Sequence, residues 1–305
     1  MISIIVPAYN EEKSIPIFFE ETEKIRHQMT EQFEYIFVND GSKDKTLSVL
    51  KALYHANDNV HYIDFSRNFG KEAALLAGLS QAKGDFVAVM DADLQDPPEM
   101  LIEMHKLLTS GEYDVVGTRR VSRDGEPPIR SLFARLFYVM INKISSTEMV
   151  DGARDFRLMT RQVVASILEL KEYNRFSKGI FSWVGYKTKY LEYQNRQRVA
   201  GETSWSFWSL LKYSIEGIIN FSNVPLQLAT YAGILSSLTA IISIVIIVIR
   251  TFLFGDAVSG WPSLVSIILL IGGIQLFSLG IIGQYIGKIY LETKKRPIYI
   301  IKEQK

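Results

Sequence analysis

The 305-residue sequence contains no cysteine. Disulfide bonds, cysteine-ligated zinc and thiol catalysis are therefore excluded from its chemistry. Only four histidines occur, and no two have the i, i+4 spacing of metal ligands on one helix face. The formal net charge of +1 lacks the basic excess of a typical nucleic-acid binder, so we expect no nucleic-acid partner.

Two common nucleotide-binding signatures are also absent. No GxxxxGK run followed by Ser or Thr occurs, so a P-loop ATPase is unsupported. The first strand-like run leads into residues 7–12, whose sequence PAYNEE lacks the glycines of a dinucleotide-binding turn. Any nucleotide must therefore be bound in another way.

Long uncharged runs are absent from the first 223 residues and then occur twice. Crossing a bilayer takes roughly 20 apolar residues. The runs Leu226–Ile249 and Ser263–Ile286 reach this length without a single charge. Two buried core helices are the alternative, but two such runs in succession favour membrane spans.

Charges around these runs predict their orientation. The linker 250–262 is too short for a domain. Six basic residues follow the second run: Lys288, Lys294, Lys295, Arg296, Lys302 and Lys305. Because positive residues near span ends stay in the cytoplasm, we predict a multi-pass protein of the inner (cytoplasmic) membrane. Its catalytic half and both termini are then cytosolic.

Short runs rich in Val, Ile, Phe and Tyr alternate with helix-period segments before the spans. The strand-like runs are Ile2–Val6, Tyr35–Val38, Val60–Phe65, Phe86–Met90 and Val115–Gly117. The helical segments are Ser14–Met29, Lys45–His55, Lys71–Gln81 and Glu99–Ser110. This alternation predicts an α/β fold with a mainly parallel sheet and flanking helices, which binds ligands at the carboxyl ends of its strands.

Acidic residues follow two of these strands. Asp40 precedes Gly41 after the second strand, where it fits either a simple turn or a contact with a base or ribose. Asp91 and Asp93 follow the fourth strand at i, i+2 and would repel each other without a cation nearby. A divalent metal on a substrate diphosphate meets that need. A solvated acidic loop that caps the next helix is the alternative.

Five ordered motifs resemble family 2 glycosyltransferases of the dolichyl-phosphate mannose synthase type, and especially bacterial bactoprenol-phosphate sugar transferases. The motifs are IVPAYNE (5–11), VNDGS (38–42), DFSRNFGK (64–71), DADLQDPP (91–98) and DFRLM (155–159). The resemblance implies a GT-A fold, a nucleoside-diphosphate sugar donor, Mg²⁺ or Mn²⁺, inversion at the anomeric carbon and a homo-oligomer.

The resemblance also assigns roles to residues. It assigns nucleotide-sugar contacts to Pro7, Tyr9, Glu11, Asp40, Lys71, Asp91 and Ala92. It assigns the metal to Asp93 and Gln95, with Asp91 beside them, and puts the catalytic Asp155 near the anomeric carbon of the donor. One departure occurs at residues 198–205, where Ser204 stands in place of the usual Lys or Arg. This departure puts one phosphate-neutralising contact of the family in question.

An arginine cluster is the candidate acceptor site. Arg119, Arg120, Arg123 and Arg130 lie within twelve residues, and a guanidinium binds phosphate through a bidentate fork. A basic loop attracted to anionic lipid is the alternative. The resemblance favours Arg119 and Arg130 as acceptor-phosphate ligands, with Arg198 as a third.

Two apolar stripes of helical period flank this candidate site, within 132–144 and 208–218. They fit either packing on the sheet or helices in the headgroup layer. We predict four segments: a cytosolic GT-A domain (1–204), a juxtamembrane amphipathic helix (205–225), a two-helix membrane anchor (226–290) and a basic cytosolic tail (291–305).

The leading hypothesis is transfer of one sugar, glucose or N-acetylglucosamine, from a UDP-sugar to undecaprenyl phosphate. Its product would serve the modification of a cell-surface polymer. A processive polysaccharide synthase would need a QxxRW motif, which is absent, and more spans. A non-catalytic membrane regulator that binds nucleotide sugar is the second rival, and Asp93, Asp155 and the arginines argue against it.

Three roles are open to Asp155. It could act as a general base, orient the acceptor and stabilise charge at the anomeric carbon, or only pair with Arg157 to hold the fold. A phosphate monoester has a second pKa of about 6 and is largely ionised at neutral pH. Little proton removal is then needed, which favours the orienting role.

Overall fold

The computed structural model describes residues 1–120, 142–143, 150–194, 218–219, 222, 224–254 and 260–305. The chain forms two compact units, one of residues 1–217 with 296–305 and one of residues 218–295. Most of the predicted juxtamembrane helix (205–225) and of the apolar stripe 132–144 lies outside the described residues.

The described part of the first unit contains one eight-stranded sheet and six helices. The strands are β1 (Ile2–Ala8), β2 (Phe33–Asn39), β3 (Val60–Phe65), β4 (Phe86–Val89), β5 (Val115–Arg120), β6 (Ala153–Thr160), β7 (Thr188–Tyr193) and β8 (Ile301–Gln304). The helices are α1 (Ser14–Arg26), α2 (Thr46–Ala56), α3 (Lys71–Gln81), α4 (Met100–Thr109), α5 (Arg161–Glu169) and α6 (Ser177–Trp183).

The strand order across the sheet is β7-β5-β6-β4-β1-β2-β3-β8. The first five strands and β7 run parallel, while β6 is antiparallel to both β4 and β5. The predicted mainly parallel α/β fold is confirmed. The antiparallel β6 was not predicted, and its insertion beside β4 brings Asp155 to the edge where the fourth strand ends.

The core lies on both faces of β1. On one face Ile2, Ile4 and Val6 join a buried cluster with Phe18 of α1 and Phe37 of β2. The two phenylalanine rings meet edge to face with centroids 6.3 Å apart. Burying each such side chain contributes about 1.5–3 kcal/mol, so this face fixes the centre of the sheet.

Helix α3 packs unusually closely on the other face. A Cβ atom at Gly78 would lie 2.2 Å from Cγ2 of Ile5, so only glycine allows this approach. Ala73, Ala74 and Ala77 in the same helix are also small and buried. The tight packing holds the first residue of α3, Lys71, beside the carboxyl ends of the parallel strands.

The C-terminal strand β8 closes the sheet at β3. It runs antiparallel to β3, and Glu303 accepts hydrogen bonds from Lys51 Nζ and Tyr62 Oη, both at 2.6 Å. The segment 291–305, predicted as a basic tail, therefore contributes a strand to the sheet. Sequence analysis did not predict this strand because Lys-Glu-Gln offers no apolar run.

The second unit contains α7 (Val224–Phe254) and α8 (Trp261–Lys294). Val224–Phe254 and Leu270–Lys294 are long and apolar enough to cross a membrane, with mean hydropathies of 2.6 and 1.4. At 1.5 Å per residue, a helix of 31 residues is about 46 Å long. Length and composition thus allow both helices to span a bilayer.

Candidate active site

A lysine and two aspartates meet at the carboxyl edge of the sheet. The ammonium of Lys71 lies 2.7 Å from Oδ1 of Asp91 and 2.5 Å from Oδ2 of Asp155. Asp91 follows β4, while Asp155 lies in β6. The fold therefore brings together three residues that sequence analysis assigned to the site, two of them separated by 84 positions.

Their mutual attraction sets their charges. Burial by itself raises the pKa of Asp155, but the cations Lys71 and Lys178 outweigh it, and the net pKa lies well below its usual range. Burial by itself lowers the pKa of Lys71, and the two carboxylates reverse this and raise it. Asp155 is consequently a carboxylate, and a weak base, at neutral pH.

Arg157 does not pair with the carboxylate of Asp155. Its guanidinium donates to the carbonyl oxygens of Asp155 at 3.2 Å and Arg154 at 2.8 Å, and lies 3.7 Å over the ring of Phe181. The guanidinium of Arg157 is therefore bonded to backbone oxygens and not to the carboxylate of Asp155. Arg157 instead fixes the backbone that carries Asp155.

The acidic loop after β4 is anchored by a network that sequence analysis missed. Arg154 donates from Nε to Asp96 at 3.2 Å and from an NH₂ group to Oε1 of Gln95 at 3.1 Å. The hydroxyl of Tyr193 in β7 donates to the buried carboxylate of Asp96. The only sequence signal was the position of Arg154 next to Asp155, since its partners lie 58 and 59 residues away.

The same loop contains a residue with uncommon backbone geometry. Leu94 has a φ of 54°, in the left-handed region that costs a non-glycine residue about 1–3 kcal/mol. Beside it, the backbone N–H of Gln95 donates to Oδ1 of Asp93 at 3.1 Å, and Asp93 and Ala92 are both buried. The loop is thus held in one shape with Asp91, Asp93 and Gln95 close in sequence at its start.

These residues fit a divalent metal that arrives with a phosphate ligand. Among the described residues, no three His, Cys, Asp or Glu side chains gather as a metal cage. Mg²⁺ commonly binds through one or two carboxylates plus substrate phosphates, so a cage is not needed. The ammonium of Lys71 already neutralises part of the charge of Asp91 and Asp155 at this edge.

Asp40 anchors a loop at the neighbouring edge. Its two carboxylate oxygens accept the backbone N–H groups of Phe69 at 2.6 Å and Gly70 at 2.9 Å. Burial raises its pKa, and these hydrogen bonds limit the rise. Gly41, with φ of 64°, would hold a Cβ 2.4 Å from the carbonyl carbon of Arg67, so the turn seats this loop closely. The predicted nucleotide contact of Asp40 would use its remaining lone pairs.

The residues predicted at the end of β1 lie at the same edge. Tyr9 is 41% exposed and Pro7 is half-buried. Glu11 accepts a hydrogen bond from the hydroxyl of Ser14 at 2.6 Å, and its N–H donates to Thr46 at 2.9 Å. The ring of Tyr9 is therefore available to a ligand, whereas Glu11 ties the turn to α1 and α2.

The predicted acceptor arginines are only partly described. Arg119 in β5 is 44% exposed, donates to the carbonyl oxygen of Asp151 at 3.1 Å and lies 3.7 Å from Glu192. Arg130 and Arg198 lie outside the described residues, as do Arg123 and Ser204. The roles of these arginines stay predictions.

The chain is similar in sequence to a known protein family and to individual proteins over its full length. The sequence model of glycosyl transferase family 2 matches residues 3–168. A prophage bactoprenol glucosyl transferase homolog of Escherichia coli (strain K12) is 43% identical, over 100% of this chain and 99% of that protein. The bactoprenol glucosyl transferase of Shigella phage SfV is 42% identical, over 100% of this chain and 99% of that protein.

A solved structure shares the fold. The mannosyltransferase PcManGT from Pyrobaculum calidifontis, in complex with GDP-Man and Mn²⁺, is 18% identical with a TM-score of 0.51. The likeness covers 72% of this chain and 63% of that chain. It supports the GT-A-like architecture of the sheet and its flanking helices.

Proposed function

Because the chain belongs to glycosyl transferase family 2, we propose that it transfers a single sugar from a UDP-sugar to undecaprenyl phosphate with inversion. Glucose and N-acetylglucosamine are the two sugars proposed. The observation that carries this proposal is full-length similarity to proteins named bactoprenol glucosyl transferases, extending through both apolar helices. The product, a polyprenyl-phosphate sugar, would then donate its sugar to a cell-surface polymer.

The proposed reaction is a single displacement. An oxygen of the acceptor phosphate forms a bond to the anomeric carbon while the bond from that carbon to the UDP oxygen breaks. UDP leaves with the electron pair, and attack from the opposite face inverts the configuration. The acceptor's second pKa is about 6, so at pH 7 no proton has to be removed from most acceptor molecules.

Asp155 suits this reaction as an orienting and charge-stabilising carboxylate. Its pKa is held low by Lys71 and Lys178, so it remains ionised when positive charge develops at the anomeric carbon. A preorganised charge of this kind acts without reorganisation during the reaction. Arg157 and Arg154 hold the backbone and the facing loop, respectively, so the carboxylate keeps its position.

The metal, Mg²⁺ or Mn²⁺, would be held by Asp93 and Gln95 with Asp91 beside them. Bound there, it would neutralise charge on the diphosphate of the leaving group. The residues proposed to contact the nucleotide sugar are Pro7, Tyr9, Glu11, Asp40, Lys71, Asp91 and Ala92. Those proposed to bind the acceptor phosphate are Arg119, Arg130 and Arg198. The aromatic face of Tyr9 and the exposed guanidinium of Arg119 are the described features that support these two assignments.

We further propose that α7 and α8 each span the cytoplasmic membrane, with the catalytic unit and both termini in the cytosol. Residues 1–217 and 296–305 belong to one compact unit, so the chain that leaves it must return to the same side. Two crossings satisfy this requirement. Basic residues after the second span favour the cytosol as that side.

Cysteine labelling tests the topology. A cysteine at Lys302, and another at Ser259 in the linker outside the described residues, should react from opposite sides of sealed cells. Labelling of both from outside would contradict a cytosolic active site.

A donor panel tests the reaction. Purified full-length protein would be incubated with undecaprenyl phosphate, Mg²⁺ and labelled UDP-glucose, UDP-N-acetylglucosamine or GDP-mannose, with the Asp155→Asn variant as control. We expect label in the lipid fraction from one of the two UDP-sugars. No lipid label from any donor would support the non-catalytic alternative, and a ladder of products would support a processive synthase.

A further inference from the structure

Two internal cations lie on the residues to which a metal role has been assigned. Lys71 contacts Asp91 and Asp155, and Arg154 contacts Gln95. An ammonium 2.7 Å from a carboxylate oxygen occupies a lone pair that a metal ion would use. Asp91, Asp155 and Gln95 therefore each contact a cationic side chain of this chain, and the two cations differ in the flexibility of their side chains.

Lys71 has the more flexible side chain of the two cations. Its ammonium ends a flexible four-carbon stem, whereas the planar fork of Arg154 is fixed on both Gln95 and Asp96. The backbone of Lys71 cannot follow its side chain, because α3 is locked on Ile5 through Gly78. The next residue, Glu72, also accepts the N–H of Ser177 at 3.0 Å.

We propose that Lys71 is a positioning residue whose ammonium holds Asp91, the carboxylate beside the proposed metal site at Asp93 and Gln95, so that the metal enters only together with the donor's diphosphate, to which the ammonium then turns. This inference rests on the metal site of the proposed function. Lys71 would exchange the carboxylates of Asp91 and Asp155 for oxygens of the diphosphate, so its positive charge would stay neutralised. The catalytic carboxylate would be freed at the moment when the donor is bound.

The physical reason is like-charge repulsion. A divalent cation and an ammonium against the same carboxylate repel each other strongly in a partly buried site of low effective dielectric. A diphosphate relieves this repulsion because it offers the ammonium new oxygens and adds negative charge for the metal. The positive end of the α3 helix dipole, where Lys71 lies, also favours an anion.

Manganese binding measures this coupling without any acceptor or turnover. Free Mn²⁺ would be quantified by electron paramagnetic resonance with full-length protein in detergent, with and without UDP. In the wild type, UDP should strengthen Mn²⁺ binding by about 5–150-fold, the usual range for coupled ligands. By linkage, Mn²⁺ should strengthen UDP binding by the same factor.

The Lys71→Met variant separates the proposal from a merely structural ion pair. Removing the ammonium should tighten binding of Mn²⁺ alone by about tenfold and shrink the effect of UDP, because the coupling to the diphosphate is lost. Lys51→Met is the matched control, since Lys51 pairs with Glu303 at 2.6 Å and is 40% exposed against 37% for Lys71. It should leave both affinities unchanged, and melting curves would confirm that each variant is folded.

Two results would overturn the proposal. One is wild-type protein that binds Mn²⁺ equally well with and without UDP. The other is folded Lys71→Met protein that binds Mn²⁺ alone no better than the wild type. Failure of the proposed function is distinguishable, because it would appear in the donor panel as absent lipid product while the manganese titration is unaffected.

Discussion

The carboxyl edge of the sheet is rich in charged side chains, whereas the apolar runs of α7 and α8 contain none. At the edge, charged side chains are drawn into contact across long stretches of sequence, as in the pair Lys71 and Asp155. In the helix pair, the runs 226–249 and 263–286 contain no charge at all. Large apolar side chains instead face outward, with Leu235 68% and Leu276 72% exposed.

This difference shows that the two parts are built for different surroundings. The sheet buries its apolar side chains, for example Phe37, and keeps its polar groups for a water-filled edge. The described apolar side chains of α7 and α8 are mostly exposed, a composition and exposure that fit the proposed membrane spans. The proposed acceptor has both kinds of chemistry, a charged phosphate and an apolar polyprenyl chain.

The largest expected effect comes from removing the metal at the charged edge. EDTA should abolish transfer, because the diphosphate leaving group then lacks its counter-ion, and added Mg²⁺ or Mn²⁺ should restore it. Radioactive transfer to lipid measures this directly. The Asp93→Ala variant serves as control and should not recover with added metal, and its full activity without metal would remove the metal from the mechanism.

The next effect concerns Asp155. Asp155→Asn should lower kcat by about 10²–10³-fold, the usual cost of losing one preorganised electrostatic contact in an active site. Since the pKa of Asp155 is lowered, it stays ionised from pH 6 to 9, and its titration does not shape the profile there. Activity should instead fall below about pH 6, as the acceptor phosphate gains a proton.

Raising the pH separates the possible roles of Asp155. If it orients groups and stabilises charge, a shift from pH 7 to pH 9 leaves the Asp155→Asn variant slow. Strong rescue at pH 9 would indicate a general base. Normal turnover with a lowered melting temperature would indicate a purely structural residue.

An arginine introduced into α8 and another introduced into α4 test whether the surroundings of the two helices differ. Leu276→Arg in α8 should cost about 2.5–3.5 kcal/mol of membrane insertion, the penalty of arginine near a span centre. Ile102→Arg, on the partly exposed face of α4, should change stability by about 0.5 kcal/mol or less, as usual for surface substitutions. The membrane-integrated fraction and the melting temperature are the readouts, and equal tolerance of both changes would argue against a lipid-facing α8.

The smallest effect is expected at the anchor of the acidic loop. Tyr193→Phe leaves the buried carboxylate of Asp96 one donor short and should destabilise the catalytic unit by about 1–3 kcal/mol. Tyr186→Phe is the matched control because the hydroxyl of Tyr186 lies 2.8 Å from the neutral hydroxyl of Ser166 and so bonds to an uncharged group. A larger loss of stability in Tyr186→Phe than in Tyr193→Phe would show that the hydrogen bond to Asp96 is not the more important of the two.

Local patterns were enough to predict much of the sheet. The apolar run 60–65 coincides with β3, and the helical period of 71–81 coincides with α3. Strands β6, β7 and β8 were not predicted, and for β6 and β8 the reason is physical. Charged residues such as Arg154 and Asp155 interrupt β6, and β8 is a short polar edge strand, so neither shows the apolar signal of a buried strand.

The sequence suggested candidate site residues one by one, but not the network that joins them. Motifs identified Lys71, Asp91 and Asp155, yet their contact depends on β6 entering the sheet antiparallel to β4. The Arg154 contacts with Gln95 and Asp96 depend on the same insertion. Pairings of this kind are decided by tertiary structure, which no local pattern encodes.

The most direct test of the account is the stoichiometry and mass of the product. Full-length protein with Mg²⁺, undecaprenyl phosphate and the preferred UDP-sugar would be analysed by mass spectrometry of the lipid, with UDP assayed in parallel. The account predicts a lipid heavier by one sugar residue and one UDP for each lipid formed. UDP release without a lipid product, or lipids that carry several sugars, would contradict it.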